Sequence, residues 1–210
     1  MAPIKAPPPR RRFLTLTTTV VGLIGAVGAA VPFVASWRPS AKTKASGAPV
    51  KVNVSKLEPG QMVVLEWRGK PVYVVRRTPA MLSSLEKLTD QLRDPYSKRR
   101  QQPEYITGIE RSLNPEFLIV VGVCTHLGCA PKYRPDVESE DLGPEWLGGF
   151  FCPCHGSRFD LAGRVFKGVS APSNLVIPPY TFETNEVAVI GIDRVSALSD
   201  LQPLSKPIYQ

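Results

Sequence analysis

Hydrophobic and polar positions divide the chain into an apolar run near the N-terminus and a longer mixed region. Residues 13–37 contain no charged side chain, so they lack the charged face that a surface helix of a soluble domain presents. A helix over this run is roughly 37 Å long at 1.5 Å per residue, which exceeds the ~30 Å hydrocarbon core of a bilayer. The pattern therefore predicts a single transmembrane helix over residues 13–37.

Basic residues set the orientation of this predicted helix. Three consecutive arginines at positions 10–12 precede the apolar run. By the positive-inside rule, they place residues 1–12 in the cytoplasm and the rest of the chain across the membrane. With Phe13 and Leu14 they also match the twin-arginine export pattern. The run is longer than the core of a cleaved signal peptide, which has about 7–15 residues, so we expect an uncleaved anchor.

Residues 38–50 differ in composition from the segments on either side. They are small, polar and basic, with a proline near each end. Such a composition is typical of a flexible linker, and we expect it to join the anchor to a head formed by residues 51–210. The sequence leaves open whether this linker is a plain spacer or a hinge used in turnover.

Short apolar runs separated by turn residues dominate the head. Val50, Val52 and Val54 alternate with polar residues, as in a half-buried strand. Two strands at residues 62–67 and 71–76 flank Arg68-Gly69-Lys70, which predicts a hairpin with these three residues as its turn. Further strands are predicted at residues 117–123, 175–177, 181–183 and 186–190. Because 22 prolines and 16 glycines interrupt the chain, the pattern favours a mostly β fold with tight loops over a helical bundle.

One helix is predicted within the head. It begins at Pro79 after the N-cap Thr78 and ends before Asp94. Its apolar face consists of four leucines, Leu82, Leu85, Leu88 and Leu92.

The positive charge of the chain is concentrated at its N-terminus. Lys and Arg number 26 against 18 Asp and Glu, which gives a net charge of +8. Residues 1–50 hold seven of these bases and no acid, which leaves 19 bases against 18 acids in the remainder. A nearly neutral head argues against binding to nucleic acid.

All four cysteines and both histidines lie between Cys124 and His155, in two short boxes. The first box, residues 124–129, reads Cys-Thr-His-Leu-Gly-Cys, and the second, residues 152–157, reads Cys-Pro-Cys-His-Gly-Ser. Two disulfides would leave both histidines unexplained. A zinc site could use one cysteine and one histidine from each box. A Cys–His nucleophile would lack a third group to orient it.

The two boxes resemble those of the Rieske iron–sulfur family. In that family, C-x-H in one box and C-x-x-H in the other hold a [2Fe–2S] cluster by two thiolates and two imidazoles. The resemblance implies that Cys124 and Cys152 bind the inner iron and that His126 and His155 bind the outer iron. It also implies an antiparallel β head with one or two helices and a cluster-binding subdomain, attached to the single transmembrane helix.

The remaining residues of the boxes also have counterparts in this family. Cys129 and Cys154 match the family's disulfide between the two cluster loops, which suits an oxidising periplasm. Ser157 matches a serine that donates a hydrogen bond to a cluster sulfur. Phe159 stands where many high-potential members carry a tyrosine, so we expect one hydrogen bond to a ligand sulfur to be missing and the potential to be lower.

Two further features are implied by the same resemblance. Leu127 would form an apolar shield at the exposed edge of the cluster. The loop from Gly168 to Pro172 resembles the proline-containing loop that covers the cluster. The interval between the boxes is longer than in many relatives, and we interpret residues 132–146 as a surface insertion without an assigned function.

Anchor, linker and head together resemble the iron–sulfur subunits of bacterial cytochrome bc complexes. The resemblance implies that the cluster takes an electron from ubiquinol, that His155 accepts the proton, and that a c-type cytochrome receives the electron, which contributes to the proton-motive force. The expected partners are cytochrome b and a c-type cytochrome in a dimeric complex of the bacterial inner membrane, with the head in the periplasm. The Rieske subunit of an arsenite-oxidase-type enzyme and a zinc-stapled domain are the alternatives.

Overall fold

The protein is described from a computed structural model that covers residues 8–40, 43 and 47–193. The chain divides into two compact units, Met1–Ala45 and Ser46–Gln210. Parts of three predicted segments lie outside the described residues: positions 1–7 of the cytoplasmic N-terminus, positions 41–42 and 44–46 of the linker, and positions 194–210 of the head.

Helix α1, Pro9–Ala35, is the principal element of the first unit. It begins before the predicted span because Pro9 suits the first helical position and arginine is a good helix former. All of its residues are exposed within the unit, and its apolar window has a mean hydropathy of 2.0. It is long and apolar enough to cross a membrane, and no other helix among the described residues is.

Within residues 47–193, the described part of the second unit, there are nine strands in three antiparallel three-stranded sheets. The strands are β1 Val50–Asn53, β2 Met62–Trp67, β3 Lys70–Arg76, β4 Phe117–Val121, β5 Lys132–Arg134, β6 Gly149–Cys152, β7 Ser157–Phe159, β8 Tyr180–Thr184 and β9 Val187–Ile190. Their order is β1-β9-β8 in the first sheet, β2-β3-β4 in the second and β5-β6-β7 in the third. The main core is apolar and is formed chiefly by the first two sheets.

The predicted hairpin between β2 and β3 is confirmed. Its turn is shorter than expected, because Lys70 already pairs with Trp67 in the ladder. The two turn residues, Arg68 and Gly69, both have positive φ, at 52° and 70°. This is the backbone of a tight two-residue hairpin, whose twist matches that of the strands.

Helix α2, Pro79–Lys87, starts where the sequence predicts and ends earlier. The hydroxyl of Thr78 caps it by accepting a hydrogen bond from the Met81 amide at 3.2 Å. A short 3₁₀ turn follows at Thr89–Gln91. The early end has a packing reason. Leu85 packs in one apolar cluster, whereas Leu88 and Leu92 pack in another.

The prediction of a strand at residues 175–177 is wrong. This segment is buried at Leu175 and Ile177 but joins no sheet. Its backbone bonds go singly to three different segments: Leu175 donates to Gly163, Ile177 donates to Gln101, and the Val176 carbonyl accepts from Val121. The apolar composition of this segment correctly predicted that it is buried. It did not show that no single strand runs beside it.

The interpretation of residues 132–146 as a surface insertion is also wrong in part. Its first residues form β5, which pairs with β6. At its other end, Trp146 is only 2% exposed and stacks on Phe166 with ring centroids 6.0 Å apart. The insertion therefore supplies one edge strand and a buried aromatic anchor. Most of the stretch between them is exposed or half-buried, although Leu142 is buried in the same apolar cluster as Trp146. At the surface, Arg134 holds the pKa of Asp141 far below its usual range.

Two buried arginines, Arg77 and Arg111, donate hydrogen bonds to the backbone of one five-residue loop. This loop, residues 160–164, follows β7. Arg77 donates to one carbonyl oxygen of the loop at 3.1 Å, and Arg111 donates to two others at 2.9 and 3.2 Å. Burial lowers the pKa of both guanidinium groups to about 10, so both remain charged at neutral pH.

A third buried arginine belongs to the loop itself. Arg164 forms an ion pair with Asp160 at 2.7 Å, and both side chains are fully inaccessible. The Asp160 carboxylate also accepts hydrogen bonds from the Ala162 and Arg164 amides. Arg164 donates further to the Leu85 carbonyl of α2. One carboxylate therefore lies among three buried cations, and backbone carbonyls supply most of the other acceptors, with the side chains of Ser112 and Gln102.

We expect Asp160→Asn to lower the free energy of unfolding by about 3–5 kcal/mol, because three buried guanidinium groups would lose their carboxylate. Urea unfolding of the detergent-solubilised protein measures this change. The matched control is Asp141→Asn, which removes the carboxylate of the exposed pair with Arg134 and should change stability little. Equal losses in the two variants would contradict the importance of the buried network.

Candidate metal centre

The two Cys/His boxes are turns of matching construction. The first box follows β4, and the second connects β6 to β7, with Cys152 paired to Ser157 at its base. In each box, the amide of the fifth residue, Gly128 or Gly156, donates to the carbonyl of the first cysteine at 3.0 Å. Both glycines have positive φ, at 87° and 73°, which L-residues with side chains rarely adopt. The repeated backbone bond fixes both turns in the same way.

The first box is secured at both ends by Tyr73 of β3. A side chain at Gly122, two residues before the box, would collide with the Tyr73 ring, so only glycine allows this close approach. Beyond the box, the Tyr73 hydroxyl donates to the Pro131 carbonyl at 3.0 Å. Tyr73 of β3 therefore holds the chain on both sides of the first box.

The four predicted ligands lie in two layers. The thiols of Cys124 and Cys152 are free and buried, with 3% and 2% of the residues exposed. The rings of His126 and His155 lie at the surface side, with centroids 4.7 Å apart and planes at 84°. His126 is partly exposed and His155 is exposed. Sulfur donors therefore lie inside and imidazole donors outside.

Burial raises the pKa of the Cys124 thiol, because a thiolate is poorly solvated there. A hydrogen bond from the His126 backbone amide and another from the Ser157 side chain act in the opposite direction. The neighbouring Cys152 thiol adds to the increase. Both thiols are free and buried, so both are available as sulfur ligands of a metal.

A disulfide joins Cys129 to Cys154 and so links the two boxes. This confirms the predicted pairing and excludes the alternative of two disulfides, since Cys124 and Cys152 are free. The sulfur of Cys152 lies within 4.8 Å of both disulfide sulfurs. Those two sulfurs are already bonded to each other, so the available donors are the two free thiols and the two imidazoles.

The residues predicted around this centre are found in contrasting environments. Leu127 is 71% exposed, between His126 and the glycine of the first box. Phe159 is fully buried in the core, opposite Phe150 on β6. Ser157 is buried as well, and its hydroxyl oxygen accepts a hydrogen bond from the Ala171 amide at 3.0 Å.

The Ala171 amide belongs to the predicted cover loop, residues 168–172. Gly168 opens this loop with a φ of 73°, and Pro172 is exposed. The next residue is tied to the first box, because the Thr125 hydroxyl donates to the Ser173 carbonyl at 2.6 Å. The loop thus contacts the second box through Ser157, and the residue after the loop contacts the first box through Thr125.

Sequence reasoning missed Tyr73 and Thr125, which hold the first box. A tyrosine within an apolar strand and a threonine inside a loop carry no local signal of such roles. The adjacency of Gly122 to the first box was the available sign, because a glycine at a strand end often marks a close backbone approach.

The donor set fits a [2Fe–2S] group of the Rieske type. Two thiolates and two neutral imidazoles are the ligands that such a group requires, one pair for each iron. A family model described as "Rieske [2Fe-2S] domain" matches residues 48–181. The chain therefore carries a Rieske [2Fe–2S] domain, and its mostly antiparallel β fold agrees with the predicted fold class.

Further comparisons indicate which group of Rieske proteins the chain is most similar to. A model described as "Ubiquitinol-cytochrome C reductase Fe-S subunit TAT signal" matches residues 1–40. The ubiquinol-cytochrome c reductase iron-sulfur subunit of Allochromatium vinosum is 55% identical over 90% of this chain and 91% of its own length. The subunit of the same name from Rhodospirillum rubrum is 41% identical over 87% of this chain and 91% of its own.

A mitochondrial relative extends this set. The cytochrome b-c1 complex subunit Rieske of Schizosaccharomyces pombe is 37% identical over 85% of this chain and 72% of its own length.

The chain belongs to the family of Rieske iron–sulfur subunits of ubiquinol–cytochrome c reductase. This membership favours the cytochrome bc interpretation over the arsenite-oxidase-type and zinc alternatives. The export signal and helix α1 fit a membrane-anchored, exported Rieske head.

We expect removal of the disulfide in the double variant Cys129→Ala/Cys154→Ala to lower the free energy of unfolding by about 2–4 kcal/mol. The crosslink spans 25 residues of sequence, so its loss frees a loop of that length in the unfolded chain. Urea unfolding measures this change. Each single variant should lose about as much as the double variant, because one bond is broken in all three. Losses that add would show that each cysteine acts separately.

Proposed function

We propose that this protein is the iron–sulfur subunit of a bacterial cytochrome bc complex and that its head oxidises ubiquinol. The observation that carries the proposal is the layering of the site, with two buried thiols beneath two imidazoles at the surface. Such a site holds a redox group within the protein and presents titratable nitrogens to a partner molecule. The relatives named as subunits of this reductase support the same role.

The ligand assignment is part of this proposal. Cys124 and Cys152 hold the inner iron through their thiolates, and His126 and His155 hold the outer iron through imidazole nitrogens. The bound group supplies one-electron oxidation at a higher potential than that of all-cysteine clusters, because neutral imidazoles replace two negative thiolates. The buried position of both thiols limits the access of water to the sulfurs.

His155 is the proposed catalytic residue. Its imidazole is exposed, so a quinol hydroxyl can reach the ring nitrogen that does not bind iron. In its deprotonated form, this nitrogen is a hydrogen-bond acceptor. The nitrogen then accepts a hydrogen bond and finally the proton from the quinol hydroxyl. Leu127, exposed beside His126, provides an apolar contact for the quinol ring.

The partners follow from the same role. Cytochrome b shares the quinol site, and a c-type cytochrome receives the electron, within a dimeric complex that contributes to the proton-motive force. The anchor at residues 13–37 crosses the bacterial inner membrane with residues 1–12 in the cytoplasm, and residues 51–210 form the periplasmic head. The linker at residues 38–50 acts as the hinge on which the head moves between the two cytochromes.

Low-temperature electron paramagnetic resonance on membranes that contain the protein tests this function. We expect an anisotropic Rieske signal already after reduction with ascorbate, because the ligand set gives a high potential. The variant His155→Ala should lose this signal together with ubiquinol oxidation. A signal that appears only with dithionite would contradict quinol oxidation, and zinc in place of iron would contradict the cofactor.

We expect Phe159→Tyr to raise the midpoint potential. The new hydroxyl would donate a hydrogen bond to a ligand sulfur and so stabilise the more negative reduced state. Redox titration of the purified complex measures the potential. The matched control is Phe151→Tyr, which adds the same hydroxyl to β6, where Phe151 packs in the cluster that contains Trp146. An unchanged potential in Phe159→Tyr would show that this position does not tune the centre.

A further inference from the structure

A surface pocket of about 310 Å³ lies where the chain enters the cover loop, outside the two boxes. Its walls come from three segments, namely the 3₁₀ turn, β7 and the chain at the beginning of the loop. The lining residues are Gln91, Arg158, Phe166, Lys167, Gly168 and Val169. Among residues 47–193, no acidic side chain lines it. No step of the proposed function uses this pocket.

Two exposed cations of the pocket retain free hydrogen-bond donors. Arg158 donates from its guanidinium group to the Leu142 carbonyl at 3.2 Å. Lys167 donates from its ammonium group to the Asp90 carbonyl at 2.7 Å. A guanidinium group has five N–H donors and an ammonium group has three, so most of them are still available. Neither cation forms an ion pair with a described residue.

The surroundings of the pocket have an excess of positive charge. Arg93 lies at its edge and donates to the Val169 carbonyl at 3.1 Å. Of the two acids beside the contacts just described, Asp141 is already paired with Arg134 at 2.8 Å, which leaves Asp90. Three cations beside one such carboxylate favour an anionic ligand.

The rest of the pocket is apolar and open. Phe166 is only 8% exposed and stacks on the ring of Trp146, so it forms a rigid wall. Val169 is half-buried. A side chain at Gly168 would meet no atom within 4 Å, which leaves the entrance free. The volume is at the lower end of the ~300–1,000 Å³ typical of small-molecule sites.

The arrangement of donors favours a phosphate group over a carboxylate. A guanidinium group, an ammonium group and the carboxamide of Gln91 come from three separate segments. A phosphate ester has enough oxygen atoms to accept from all three, whereas a carboxylate has two. The planar fork of arginine also matches two phosphate oxygens at once.

We propose that this pocket binds the phosphate group of an organic phosphate, either a small soluble ester or a phospholipid headgroup. Arg158 and Lys167 are its principal ligands, and the organic substituent lies against Phe166. The bound phosphate connects β7 to the beginning of the cover loop. The inference goes beyond the proposed function, because it requires neither quinol nor a cytochrome.

Protection of Lys167 from an amine-acylating reagent tests the site. The full-length protein in detergent is labelled with and without glycerol 3-phosphate, and peptide mass spectrometry measures the extent of labelling. We expect several-fold less labelling at Lys167, because the phosphate holds its ammonium group. Lys70, exposed at the start of β3, is the internal control and should be unaffected at an ionic strength matched with sodium chloride.

Variants at Arg158 leave the reporting lysine in place. Arg158→Met should raise the concentration of glycerol 3-phosphate needed for half protection about tenfold, because a charge-assisted contact is lost. Arg158→Lys keeps the charge without the fork and should raise it less. The matched control, Arg100→Met, removes an equal charge from an exposed side chain that does not line the pocket, and it should change nothing.

Two outcomes of these variants would overturn the proposal. Equal effects of Arg158→Met and Arg100→Met would show general attraction to a basic surface. Equal protection of Lys167 and Lys70 would show simple screening of charge. The visible absorbance of the cluster checks that each variant is folded, and Arg158→Lys provides the same comparison should Arg158→Met fail to fold.

Labelling in nanodiscs distinguishes the two sources of phosphate. Protection of Lys167 in discs that contain phosphatidylglycerol, but not in discs of phosphatidylcholine alone, would identify a lipid headgroup. Protection by added glycerol 3-phosphate alone would identify a soluble ester. Absence of protection in both experiments would overturn the proposal, whether or not the head oxidises quinol.

Discussion

The head depends on the burial of charge around residues 160–164. Three guanidinium groups and one carboxylate are withdrawn from water there, and each must be satisfied by protein acceptors or donors. Most of those partners are backbone carbonyls, so the arginines determine the path of the chain rather than merely fill space. The loop continues directly from β7, which begins at Ser157 of the second box. The network therefore fixes half of the metal centre to the rest of the head.

The two boxes of the metal centre are held in place by several short contacts. Each box is a turn closed by one backbone bond with a glycine in the left-handed region. A covalent bond joins the two turns, and Tyr73 and the cover loop restrain them from two directions. These restraints come from four separate segments and together fix the orientation of the donors. The buried thiols and exposed imidazoles then give the site one closed side and one side that is open to a partner.

Features with a local signal could be predicted from the sequence. The Thr78 cap, the β2–β3 hairpin and both boxes are encoded within a few residues, and the structure contains all of them. Features that depend on distant partners could not. The end of α2, the isolated extension at residues 175–177 and the burial of Trp146 are each decided by contacts across the chain. Arg77, Arg111 and Arg164 resemble ordinary surface charges in the sequence, since nothing nearby announces their burial.

The proximity of a free thiol to the disulfide has a consequence for how the molecule matures. The Cys152 sulfur lies within 4.8 Å of both bonded sulfurs, close enough for its thiolate to attack one of them and release the other. Such an exchange would leave one intended ligand oxidised and one intended bridge partner reduced. Under the proposed ligand assignment, iron coordination would withdraw Cys152 from this reaction. Loading of the site in a reducing compartment, before export and oxidation, is thus the order of assembly that preserves the correct pairing.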